Sequence, residues 1–263
     1  MATSRTAVTV RAPAIHTADG RGPRTTHDPG LEVSAIKGEA RGKDQARLGL
    51  TTSGQREAGD TMPEAIEIRA LQPDEIPLAV GVLARGMRDN PLHVAVYGAD
   101  PDRRLRCHAR LIRALFRTSS AQRPIAAVRG GTLVGVTGVA PAGTCQPGPA
   151  RKLRMLPAVA ALGPRTARRV LGWTSTWAKF DPDEPHVHLG PLAVDAHLQG
   201  QGVGSKIMRE HCARLDDAHE VGYLETDKVE NVGFYERFGY WVTGEQPVLG
   251  VPNWFMRRES AAR

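Results

Sequence analysis

The sequence predicts an α/β fold built on a mixed sheet, and two stretches carry that prediction. Two strand-like runs flank Gly130-Gly131 within Ile125–Ala140, and a two-residue glycine turn can only join antiparallel neighbours. Farther on, a strand-like run (His186–Val194), a helical run (Gly202 to about Ala218) and a second strand-like run (Gly222–Asp227) form a crossover unit. Such a connection makes a parallel pair.

The elements follow in order from Met62. Ala65–Leu71 alternates apolar and polar residues as a half-buried strand does. Pro73-Asp74 opens a helical run that ends near Asn90-Pro91. Asp102–Thr118 is an amphipathic helix whose stripe is Leu105, Leu111, Ile112, Leu115 and Phe116. The Gly130-Gly131 hairpin comes next, then a Pro/Gly loop over 141–149. Two basic helical segments, roughly 150–162 and 165–179, are divided by Gly163-Pro164. His186–Val194 reads as a strand interrupted at Gly190-Pro191, a break that fits a bulge opening the sheet. After the crossover helix and Gly222–Asp227, "NVGFYERFG" is a short helix, and "YWVTGEQ" and "PNWFMRR" are closing strands. No internal repeat is present.

Residues 1–61 differ from the rest. They hold no aromatic residue and no sustained period, so they are expected to be a disordered tail. The alternative is a mis-called start, with Met62 opening the domain proper. The first dozen residues are basic and acid-free, faintly like a transit peptide, but no apolar h-region for secretion follows. The domain expected is 62–259, with 140–180 as a basic helical insert.

Composition narrows the function. The chain has 263 residues, 41% hydrophobic and 24% charged, and lacks an apolar run long enough to span a membrane. Three scattered cysteines, Cys107, Cys145 and Cys212, show no metal-ligand spacing. The expectation is a cytoplasmic protein with reduced thiols and no metal. The net charge is +7, and no Asp or Glu occurs between Arg103 and Lys179. That basic field attracts anions, whether a cofactor, an acidic partner or nucleic acid.

"VDAHLQGQGVGSKIM" places Gly200, Gly202 and Gly204 between a strand and a helix. A Walker loop requires its lysine directly after a glycine, and here Ser205 separates Gly204 from Lys206. A dinucleotide fingerprint requires a third glycine where Ser205 or Ile207 stands. What remains is Gln199-x-x-Gly202-x-Gly204. Glycines there let the free amides of a helix N-terminus meet a pyrophosphate without a lysine. A turn serving only chain reversal is the simpler alternative.

The loop has company. "HLGPLAVDAHLQGQGVGSKIMREH" followed by "GYLETDKVENVGFYERFGY" resembles the GCN5-related N-acetyltransferase (GNAT) family, strongly in the second half of the domain and weakly over 65–140. The resemblance implies a mixed, mostly antiparallel central sheet flanked by helices that binds acyl-CoA. It implies acetyl-CoA as co-substrate, its pyrophosphate on the backbone amides of Gln201, Gly202, Val203, Gly204 and Ser205, with Gln199 completing the motif. Leu192, Ala193 and Val194 would offer main-chain groups to pantetheine and thioester from a splayed fourth strand. Asn231 would contact CoA or cap its helix, and Tyr235 would be the general acid toward the departing thiolate. The resemblance selects no base. Glu184, His186 and His188 lie at or before the fourth strand, and Glu225 on the next strand is another option.

The expected reaction is acetyl transfer to a primary amine of a small molecule by direct attack in a ternary complex. A homodimer is implied by analogy alone. Two other classes fit parts of the sequence: a CoA-binding sensor without catalysis, and a basic nucleic-acid binder. The latter lacks interleaved aromatics.

Overall fold

The computed structural model describes residues 64–119 and 121–261, so the expectations for residues 1–61 lie outside it. The strands are β1 (Ile66–Ala70), β2 (Ile125–Arg129), β3 (Thr132–Ala140), β4 (His186–Val194), β5 (Val221–Thr226), β6 (Trp241–Glu245) and β7 (Trp254–Arg258). The helices are α1 (Ile76–Gly86), α2 (Pro91–Tyr97), α3 (Pro101–Thr118), α4 (Pro149–Ala160), α5 (Pro164–Trp177), α6 (Val203–Ala218) and α7 (Val229–Glu236). The strands form one sheet in the order β1-β2-β3-β4-β5-β7-β6. β4 and β5 are parallel and every other pair is antiparallel.

Local chemistry explains the joints. Gly130 and Gly131 sit at φ 54° and 73°, the left-handed region that a tight hairpin turn demands of both central residues. The expected break at Gly190-Pro191 is present but does not end β4. It makes a bulge: Thr137 pairs with Leu192 and Val139 with Leu189, so two residues of β4 oppose Gly138 alone.

Alternation along β2 builds both faces of the sheet. Ile125 and Ala127 pack with Ile207, Met208 and Leu215 of α6. Ala126 and Val128 pack with Val80 and Leu83 of α1 and with Ile112 and Phe116 of α3. A third cluster joins Leu92 and Val96 of α2 to Val170 and Trp173 of α5, tying the insert to the domain.

Two expectations are corrected. The chain between the first and second expected helices holds α2. Its N-terminal amide, from Leu92, donates to the Asp227 carboxylate at 2.7 Å, and Asn90 Nδ2 donates to the same group at 3.3 Å. On α3, Arg104 and His108 are buried while Leu105 is only partly so. Arg104 is tolerated because it donates to the carbonyls of Arg88, Gly98 and Ala99 and pairs with Asp89. Among the described residues no helix is long and apolar enough to cross a membrane.

Candidate functional site

The sheet opens at its parallel pair. β4 and β5 are in register from His186/Val221 to His188/Tyr223 and no farther. Beyond that point β4 pairs only with β3, which leaves its other edge unladdered over Leu189–Val194. Into this opening runs a cavity of about 970 Å³. Its walls are largely apolar, from Leu92 of α2, Leu111 and Leu115 of α3, Met155 of α4, Trp173 and Trp177 of α5, and Leu192 of β4. The 140–180 insert therefore forms one side of the cavity, with Arg151, Lys152 and Arg168 among its lining residues.

The glycine loop lies at the far end of β4. Gly200 and Gly202 have φ 76° and 80°, conformations that a side chain strains. Gly202 caps α6, and the first intrahelical bond is Lys206 N–H to Gly202 C=O at 3.1 Å. Helix geometry thus leaves the amides of Val203, Gly204 and Ser205 without intrahelical acceptors. Nothing lies within 4 Å of a methyl built on Gly202, whereas one on Gly204 would sit 3.6 Å from Phe234 Cζ and 3.8 Å from Val194 Cγ2. The first turn of α6, the end of β4 and α7 thus meet. The Gln201 amide is used within the turn, donating to Leu198 C=O at 3.4 Å, and Gln199 Nε2 donates to Val194 C=O at 3.1 Å. Ala193 is buried against Gly86 of α1, while Leu192 and Val194 are half-buried.

α7 contributes two cavity residues, Asn231 and Tyr235. Lys228 rather than Asn231 is the helix cap; Asn231 lies inside α7 and donates to Thr226 Oγ1 at 3.1 Å. The Tyr235 ring is buried, and its hydroxyl makes no hydrogen bond among the described residues. Burial first, and the Asp227 charge second, push its pKa up, so it is protonated at neutral pH.

The polar end of the cavity gathers residues from separate segments. His188 Nε2 donates to Glu225 Oε2 at 2.8 Å, and its Nδ1 lies 3.9 Å from Asp181 Oδ1. The Glu225 side chain is only 2% exposed, and its Oε1 has no partner among the described residues. Burial alone would push His188 down, but the Glu225 charge, the Cys145 thiol and Asp181 outweigh it and hold the pKa at about 10. His186 Nε2 sits 3.4 Å from Cys145 Sγ. Hydrogen bonds with His186 and then His188 bring the Cys145 thiol down to about 7. Glu184 stands apart: its carboxylate is partly exposed and pairs with Arg257 at 2.7 Å, outside the cavity lining. His186 is buried behind the lining as well. Cys145, Asp181 and Asp227 carry no motif in the sequence, because their neighbours lie far away along the chain. The spacing that predicted no metal missed a group of four, Cys145, Asp181, His186 and His188, whose ligating atoms lie within 4.8 Å of one another.

Comparisons with known proteins agree with this architecture. The model of the acetyltransferase (GNAT) family matches residues 92–240. YjaB of Salmonella typhimurium, a peptidyl-lysine N-acetyltransferase, is 34% identical over 84 residues, which is 28% of this chain and 57% of that protein. The matched stretch thus spans little more than half of that relative. Among solved structures, a Corynebacterium glutamicum protein described as histone acetyltransferase HPA2 and related acetyltransferase superposes with a TM-score of 0.59 at 21% identity, covering 77% of this chain and 99% of its own. The Drosophila melanogaster polyamine N-acetyltransferase gives 0.50 at 16% identity, covering 74% and 100%. At these identities the two structures speak for the fold.

Proposed function

The chain belongs to the acetyltransferase (GNAT) family, and from that premise we propose that it transfers an acetyl group from acetyl-CoA to the primary amine of a small molecule held in the 970 Å³ cavity. One observation carries the reading. The free first turn of α6 connects, through Val194 and Phe234, to an opening between β4 and β5 where Tyr235 and Glu225 line the same cavity.

The residues fit the donor. Gly202 leaves open space before three unpaired amides at the positive end of α6, which suits a pyrophosphate. The unladdered edge of β4 over Leu192–Val194 offers main-chain groups to an extended pantetheine arm. Acetyl-CoA supplies an activated thioester carbonyl, and the rest is the work of the protein. The acidic end of the cavity, with Asp181, Glu225 and Asp227, draws the ammonium end of the acceptor. Glu225 receives its proton through a water, since Oε1 is unpaired. The Tyr235 hydroxyl, protonated and unbonded, gives a proton to the departing sulfur. Transfer is direct, with both substrates bound together.

The apolar walls favour an amine on an apolar body. Arg151, Lys152 and Arg168 at the lining disfavour polycations and basic peptides. The test is CoA-thiol release from acetyl-CoA across monoamines, polyamines and lysine peptides. We expect monoamines with apolar bodies to react fastest. Peptides reacting faster would overturn the small-molecule reading, and no release with any amine would favour a CoA-binding sensor.

A further inference from the structure

We propose that Cys145, Asp181, His186 and His188 form a zinc site that fastens both ends of the 140–180 insert to the sheet. The four residues come from three segments. Cys145 lies in the loop before α4, Asp181 follows α5, and the two histidines begin β4. Their ligating atoms all lie within 4.8 Å of one another. Cys145 Sγ is 3.4 Å from His186 Nε2 and 3.7 Å from Asp181 Oδ2, and His188 Nδ1 is 3.9 Å from Asp181 Oδ1. With Zn–N near 2.0 Å and Zn–S near 2.3 Å, the edges of a zinc tetrahedron measure roughly 3.3–3.6 Å. Small side-chain rotations therefore close this set around an ion.

The outer hydrogen bonds decide which ring nitrogen of each histidine faces the site. His186 Nδ1 faces the Glu184 carbonyl at 2.9 Å, an acceptor only, so it carries the proton and leaves Nε2 with its lone pair toward Cys145. His188 Nε2 donates to the Glu225 carboxylate at 2.8 Å, so Nδ1, 3.9 Å from Asp181, is the nitrogen that faces the site, and an ion there displaces its proton. A carbonyl or carboxylate behind each histidine is the arrangement that orients metal-binding imidazoles. Gln146 Nε2 holds the Asp181 carboxylate from the side. One thiolate, two imidazoles and one carboxylate suit zinc better than a hard cation. Four protein ligands make a closed, structural site, so its work is to hold the insert in place as a cavity wall. The inference does not need the acetyl-transfer reading, although it shares Asp181 and Glu225 with it, and zinc binding is read without any turnover.

The test is zinc titration of the metal-stripped full chain against a chromogenic chelator, followed by the cobalt(II) spectrum. We expect one ion per chain and a thiolate-to-cobalt charge-transfer band with tetrahedral d–d bands. Cys145→Ser should abolish that band, and Cys107→Ser should leave the zinc affinity unchanged. Glu225→Gln, which keeps the ligands and loosens His188, should weaken zinc about 10- to 100-fold. Circular dichroism separates these effects from misfolding. Failure to bind one zinc, or equal affinity in native and Cys145→Ser chains, would overturn the site.

Discussion

Tyr235 is held by its ring, packed against Phe234 and Tyr240, while its hydroxyl is left unbonded at the cavity. Replacing that oxygen alone should therefore remove chemistry without disturbing packing. Tyr235→Phe is expected to lower kcat about 10²-fold or more, the usual worth of a positioned proton donor, with acetyl-CoA affinity unchanged. Thiol-release kinetics alongside calorimetry check this, and an unaltered kcat would assign the tyrosine to packing. At this scale the residues proposed for the donor were legible, because Gln199, Gly202 and Gly204 lie in the short turn into α6 and Asn231 and Tyr235 lie one turn apart on α7. The polar end of the cavity was not. Cys145 and Asp181 are 36 residues apart in the chain, and the packing of α4 and α5 against α2 and α3 brings them together.

Among the elements, α6 and β5 press closest where β5 has no side chain. A methyl on Gly222 would meet the Tyr240 hydroxyl at 2.5 Å and Leu215 Cδ1 at 2.7 Å. Gly222→Ala is expected to cost about 1–3 kcal/mol by overpacking, read as a lower urea midpoint. A variant as stable as the native chain would mean that this contact yields freely. The strands and long helices were readable because their apolar periods are local. α2 escaped because the carboxylate that takes its first amide is Asp227, 135 residues from Leu92, and its seven residues are too few to show a period. Gly190-Pro191 marked a real irregularity, and the bulge that the Gly-Pro pair suggested is the one that forms. Pairing with Gly138 decides for the bulge.

For the molecule as a whole, buried neutral histidines set the acid limit. His211, fully enclosed and bonded to the Tyr240 hydroxyl at 2.9 Å, is pushed down to about 4 by burial, with Arg258 and Arg214 adding to it. Burial likewise brings His93 to about 4 and His108 well below its ordinary value. The unfolded chain takes up these protons near pH 6.5 and the folded chain only near pH 4 at His211 and His93, so the stability these two histidines contribute is full above about 6.5 and falls between those values. Urea unfolding across that window should show the loss, and His211→Gln should flatten it; an unchanged slope would contradict the assignment. Fold class was thus open to a reader of the sequence, as was the loop proposed to hold the donor, whereas the cavity depends on how the insert packs. The central claim is that the free turn of α6 holds the CoA pyrophosphate, and calorimetric titration of acetyl-CoA tests it most directly. The native chain should bind one equivalent, and Gly202→Val, which strains the φ 80° cap and fills the open space before the amides, should weaken binding at least about tenfold. No binding by the folded native chain, or equal affinity in the variant, would contradict it.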